Sequence, residues 1–105
     1  MLDTLQARLG EKVSTNPYAL ASHGRDENAT PGVQPLAVVY AESVADVQET
    51  LAWARETRTP VIAFGAGTSF EGHVVPQGPA ISLDLSRMNR VLRIQPEDFA
   101  VEVEP

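Results

Sequence analysis

Between Pro60 and His73 the chain concentrates the groups that could hold a ligand: glycines at 65, 67 and 72, hydroxyls at Thr68 and Ser69, and a histidine at 73. Glycines let a backbone reach positive φ and come close to a ligand, so that several N–H groups converge on one anion. Thr68 and Ser69 add neutral donors. The chemistry implied is a phosphate or pyrophosphate cradle that lacks the lysine of a nucleotide hydrolase.

A P-loop requires G-x-x-x-x-G-K-[ST]. Gly67 and Gly72 have that spacing, but His73 and Val74 replace the lysine and the hydroxyl. The charge for the β- and γ-phosphates and the magnesium ligand are therefore missing. A dinucleotide fingerprint requires G-x-G-x-x-G at the start of a helix. After Gly65 and Gly67 the third glycine falls two places late. Neither motif is present.

At 105 residues the chain is at most one small domain with a modest core, and its 43% hydrophobic content is that of an ordinary soluble protein. A net charge of −6 argues against nucleic acid or an anionic membrane as a general partner. The absence of cysteine excludes disulfides, thiolate metal sites and a cysteine nucleophile. No metal site is expected. Met1 to Gly10 lacks the long apolar run of a signal peptide or membrane span, so the chain reads as soluble and cytoplasmic.

The elements that must position the loop follow from patterning. Residues 1–35 read as a helix and an irregular arm. Leu2, Leu5 and Leu9 share a helical face that Gly10 ends, whereas residues 16–35 are rich in Pro, Gly, Asn and charge without a sustained period. Within that arm Arg25 to Asn28 reads as a solvated loop and His23 as a surface histidine rather than a base.

From residue 36 to 105 the pattern is regular. Leu36 to Tyr40 suits a buried strand. Ser43, with Asp46 three residues on, starts a helix whose inner face is Val44, Val47, Leu51 and Ala54. It should end near Thr57 to Thr59, because Pro60 disfavours helix in the residue before it. Trp53 lies far around from that face and is expected to be partly exposed. Val61 to Phe64 makes a second strand, and strand–helix–strand implies a parallel pair with a right-handed crossover. Further short strands follow at residues 80–84, 89–94 and 99–103, with a bend at Asp84 to Met88 and a turn at Gln95 to Asp98. The fold class is α+β.

The order of these residues resembles a known family. Pro60-Val-Ile-Ala-Phe-Gly-Ala-Gly-Thr-Ser-Phe-Glu-Gly-His73, Leu83-Asp-Leu-Ser-Arg-Met-Asn-Arg-Val91 and Glu97-Asp-Phe-Ala-Val-Glu-Val-Glu-Pro105 carry the likeness, and Ser22-His-Gly-Arg-Asp-Glu27 extends it into the arm. Leu36 to Pro105 resembles the first half of the PCMH-type FAD-binding domain of the vanillyl-alcohol oxidase/p-cresol methylhydroxylase superfamily. Within it, the chain is most similar to the D-lactate dehydrogenase and glycolate oxidase flavoprotein-subunit branch.

The resemblance implies FAD as cofactor, with Phe64, Gly65, Ala66, Gly67, Thr68 and Ser69 on its pyrophosphate and Gly72 and His73 beside it. Some superfamily members attach flavin through a histidine directly after the glycine pair. His73 lies several residues beyond Gly67, so non-covalent binding is expected. Glu71 would repel a pyrophosphate; it is expected to point away and hydrogen-bond the loop.

Members of the family are several times longer, and a separate substrate domain carries their catalytic histidines. No catalytic residue has a matching position here, and the 105-residue chain alone is expected to be inactive. For a full-length parent the resemblance implies oxidation of a small D-2-hydroxy acid, D-lactate- or glycolate-like, by hydride transfer to flavin. An electron acceptor, which could place the protein at the periphery of a membrane, would be its second partner. Two other readings use the same residues: a stand-alone phosphate- or nucleotide-binding module, and a non-catalytic remnant of the fold.

Overall fold

Leu5 and Leu9 are buried on one side of helix α1 (Leu2–Leu9), which stops where Gly10 turns to φ 59°. Burying a leucine is worth about 1.5–3 kcal/mol, enough to dock so short a helix onto the body. The computed structural model covers residues 1–105. Beyond α1 the segment expected to be irregular contains a 3-10 turn at Gly10–Lys12 and two further elements. Strand β1 (Val13–Ser14) pairs antiparallel with the next strand, Val13 opposite Val39. Helix α2 (Pro17–Ser22) starts with Asn16 Oδ1 accepting from Tyr18 N at 2.9 Å, and Pro17 supplies a preset φ at its first position. Two residues of strand and six of helix are too short to leave a period in the sequence.

The sheet contains β1, β2 (Ala37–Tyr40), β3 (Val61–Phe64) and β4 (Ile81–Asp84) in the order β1-β2-β4-β3. Helix α3 (Val44–Thr57) connects β2 to β3. Strands β2, β4 and β3 are parallel, as the strand–helix–strand pattern implies. They do not form an adjacent pair, however, because β4 lies between them. All four residues of β4 are buried, as expected of a strand covered on both faces. Strands β5 (Val91–Gln95) and β6 (Ala100–Val103) form a separate antiparallel sheet, turned by a 3-10 segment at Pro96–Asp98.

Side chains alternate across the sheet. One face presents Ala37, Val39, Ile81 and Leu83 to α1 and α3, in a core that includes Leu5, Leu9, Trp53 and Ala54. The other face carries Tyr40, Phe64 and Asp84, over which His23 lies.

Ser43 caps α3 as expected, its Oγ accepting from Asp46 N at 3.2 Å. The buried face differs from expectation. Ala54 is buried and Val47 packs against the core as expected, but Val44 and Leu51 are 64% and 49% exposed, whereas Trp53 and Thr50 are fully buried and Asp46 nearly so. The reason lies in α1, which packs against α3 and receives the indole. Trp53 Nε1 donates to Thr4 Oγ1 at 2.8 Å and to Met1 O at 3.3 Å. A tryptophan with a satisfied N–H gains more by burial than a valine or leucine does. Asp46 tolerates burial because Lys12 Nζ and Glu42 N donate to its carboxylate.

Candidate functional site

Tyr40, Asp84 and Phe64 stand in register at the carboxyl ends of β2, β4 and β3. The glycine loop leaves from this edge, the place where parallel sheets bind ligands. Its upstream end is tied by Leu85 N donating to Phe64 O at 2.9 Å. From Gly65 through Phe70, no backbone N–H donates a hydrogen bond within the chain. Unpaired donors in series on a loop with a left-handed residue are the raw material of an anion nest.

Gly67 supplies the left-handed residue, with φ +70°, and a Cβ there would stand 2.5 Å from Phe64 Cζ. Gly65 differs: its φ is not positive and a Cβ would meet nothing within 4 Å. Gly67 therefore shapes the loop, whereas Gly65 leaves open space above its backbone.

The loop's downstream end is held by the arm. Asp26 is 8% exposed, and its carboxylate accepts from Asn28 N at 3.0 Å, Thr30 N at 2.9 Å, Thr30 Oγ1 at 2.6 Å and Gly72 N at 3.0 Å. The Thr30 hydroxyl and then its N–H hold the Asp26 carboxyl below the usual carboxylate range. Glu27 N adds a bond to Ser69 O at 3.2 Å. Arg25 to Asn28 is thus not simply a solvated loop, because buried Asp26 organises it. Sequence reasoning missed Asp26; the only signal was its place in the Ser22 to Glu27 block.

His23 is not a surface histidine either. It is 6% exposed, with Nε2 2.7 Å from Asp84 Oδ2 and Nδ1 2.8 Å from Ala19 O. Its ring lies 4.2 Å from that of Phe64 and edge-on to Tyr40 at 5.7 Å. Short helix α2 delivers it to the sheet edge, which no local pattern announces.

The loop brings Phe64, Gly65, Ala66, Gly67, Thr68, Ser69, Gly72 and His73 together in one turn, but in different roles. Phe64 is buried beneath Gly67; Gly65, Ala66 and Thr68 are exposed; Gly67, Ser69 and Gly72 are half-buried. Exposed His73 has Nδ1 3.1 Å from Ser69 Oγ. Glu71 is exposed and its carboxylate makes no hydrogen bond, so it does not brace the loop as expected. An open cleft of about 260 Å³ lies between the arm and the loop, lined by Ser22, Arg25, Asp26, Glu27, Phe64, Ala66 and Gly67. A second, of about 380 Å³, opens on the far side of Gly65 and Ala66 against Leu85, Met88 and Asn89. Ala66 borders both.

The family model described as an FAD binding domain matches residues 35–105. The chain belongs to this FAD-binding family. Over 95 residues, 90% of this FAD-binding chain, it is 36% identical to a probable mitochondrial D-lactate dehydrogenase of Danio rerio, of which the match covers 19%. It is 29% identical over 99% of its length to a D-2-hydroxyglutarate dehydrogenase of Xanthomonas citri pv. viticola, covering 22% of that protein. Among solved structures, p-cresol methylhydroxylase with bound substrate matches 91% of the chain and 20% of its own, with a TM-score of 0.78 and 27% identity. The chain spans about a fifth of the length of the relatives it matches.

FAD is the cofactor this family binds, and the loop fits its pyrophosphate: unpaired N–H donors from Gly65 to Phe70, hydroxyls at Thr68 and Ser69, and free space over Gly65. The protein has no helix long and apolar enough to cross a membrane.

Proposed function

We propose that this chain supplies the pyrophosphate-binding part of the FAD site in an oxidoreductase for D-2-hydroxy acids. The observation that carries the reading is the run of unpaired N–H groups from Gly65 to Phe70 at the carboxyl edge of three parallel strands. Gly65, Ala66, Gly67, Thr68 and Ser69 contact the pyrophosphate through backbone N–H and hydroxyl groups. Phe64 acts from below by holding Gly67, while Gly72 and His73 border the cofactor. Ala66 borders clefts on both sides, and the loop there would hold FAD without a covalent link.

The D-lactate and D-2-hydroxyglutarate dehydrogenases among the relatives support a D-2-hydroxy acid as substrate. Bound FAD would supply the acceptor for the hydride leaving C2 of such an acid. The chain's own residues contribute binding and orientation; none of them is assigned a proton-transfer role.

The test is Gly65→Val in the whole protein, since a Cβ there meets nothing within 4 Å and a side chain would fill the space over the loop. Flavin per protein should fall about tenfold or more while the apoprotein melts as wild type does. Unchanged flavin content would overturn the assignment. Retained ADP binding with no preference for FAD would favour a stand-alone nucleotide module.

A further inference from the structure

The Asp26 carboxylate lies in the arm, forty-six residues before Gly72, yet it accepts that glycine's N–H at 3.0 Å. All four of its hydrogen bonds come from donors that water would otherwise serve, three from Asn28 and Thr30 and one from the glycine loop. Glu27 N to Ser69 O makes a second tie between the same two segments. The loop's apolar anchors are the Phe64 ring beneath Gly67 and, past its end, buried Val74 and Val75; from Thr68 to Gly72, where Phe70 and Glu71 are exposed, the ties to the arm hold it. Gly72 also has φ +78°, and a Cβ there would lie 3.0 Å from Thr30 Cγ2. The arm therefore sets both the path of the loop's far end and the conformation of its last glycine.

We propose that Asp26 is a positioning residue of the FAD site: by holding Gly72 and Thr30 on one buried carboxylate, it fixes the glycine loop in the conformation that leaves the Gly65 to Phe70 N–H groups directed at the cofactor. The inference rests on the pyrophosphate reading above. Asp26 itself touches no cofactor atom in this account. Its effect passes through Gly72 and, by the neighbouring Glu27 bond, Ser69. A neutral amide cannot replace it. Nδ2 on one side would face the N–H groups of Asn28 and Thr30; on the other, although the Thr30 hydroxyl can turn to accept, it would face the Gly72 N–H and break the tie to the loop.

The experiment is FAD titration of deflavinated whole protein carrying Asp26→Asn, Thr30→Val or Gly65→Val, followed by turnover at saturating FAD. Asp26→Asn should weaken FAD binding roughly tenfold or more, as expected when charge-assisted bonds that order a binding loop are lost. At saturating FAD, kcat and the visible flavin spectrum should match wild type, which a general folding defect would not allow. Thr30→Val, which removes one donor and keeps the carboxylate, should weaken binding less, and Thr30→Ser should restore it. Should Asp26→Asn fail to fold, the Thr30 pair decides alone. Wild-type FAD affinity in both Asp26→Asn and Thr30→Val, with Gly65→Val deficient, would overturn the role of Asp26 and leave the pyrophosphate reading intact. Wild-type affinity in all three would overturn both. Reduced kcat at saturating FAD with unchanged affinity would overturn the positioning role.

Discussion

The ring of Phe64 lies directly beneath Gly67, so that a Cβ on the glycine would stand 2.5 Å from Phe64 Cζ. One aromatic side chain thus ends β3, meets the His23 ring at 4.2 Å with the planes tilted by 41°, and supports the turn of the glycine loop. The loop's shape comes from the fold beneath it.

Gly67→Ala is expected to destabilise the protein by about 1–3 kcal/mol, from a strained left-handed φ together with the contact on Phe64. Flavin content should fall with it. The double variant Phe64→Leu/Gly67→Ala should cost less than the two singles added, because the smaller side chain relieves part of the clash. Chemical denaturation of all four proteins checks this, and strict additivity would place the cost in φ alone. For this reason Gly67→Val cannot by itself separate a lost ligand contact from a deformed loop.

Trp53 joins α3 to α1 through its ring and its bond to Thr4. Trp53→Ala should destabilise the protein by about 3–5 kcal/mol, the cost of emptying so large a buried site. Thr4→Val should cost about 0.5–1.5 kcal/mol, because it leaves the indole N–H only the longer bond to Met1 O. Denaturant unfolding measures both, and a Trp53→Ala effect under 1 kcal/mol would mean that α1 closes the cavity.

Acid should weaken the tie between arm and loop. The Thr30 hydroxyl, followed by backbone N–H groups, holds the Asp26 carboxyl low. For Asp46, burial pushes upward, but bonds from Lys12 and Glu42 N outweigh it and the net direction is down. Both groups are protonated more readily in the unfolded chain. Their stabilisation is therefore present above the ordinary carboxylate pKa of about 4 and is lost as pH falls through the lower folded values. Asp26→Asn should flatten the acid limb of a stability–pH curve followed by tryptophan fluorescence. A limb as steep as that of wild type would show that the carboxylate does not ionise differently on folding.

Ser82, in the central strand β4, has a fully buried Oγ with no hydrogen-bond partner. Ser82→Ala should be neutral or stabilising by up to about 1 kcal/mol, since it removes an unsatisfied hydroxyl at almost no cost in packing. A clear loss of stability in thermal unfolding would reveal a hidden partner.

Much of the body was legible in residue order. Val61 to Phe64 and the strands after the loop appear within a residue or two of their expected limits, because β-branched runs bounded by Pro, Gly and Asn are local signals. The helix start at Ser43 is equally local, resting on a side chain and an N–H three residues apart. The glycine loop stood out as a candidate ligand site because glycine spacing records backbone freedom directly.

What residue order could not convey was which distant groups would meet. Trp53 was expected to be partly exposed because a helical wheel contains no neighbouring helix, and α1 supplied one. His23 and Asp26 read as surface residues because polar side chains are buried only where partners wait, and theirs were Asp84, sixty-one residues on, and Gly72, forty-six residues on. Strand order was undetermined for the same reason: β4 takes the central place between β2 and β3 through pairings that no local period encodes. Sequence alone determined most of the local elements and marked the glycine loop as the candidate ligand site, since both arise from backbone and neighbouring side chains. Tertiary structure decided what holds the loop in place, because those hydrogen bonds exist only after residues far apart in the chain have been packed together.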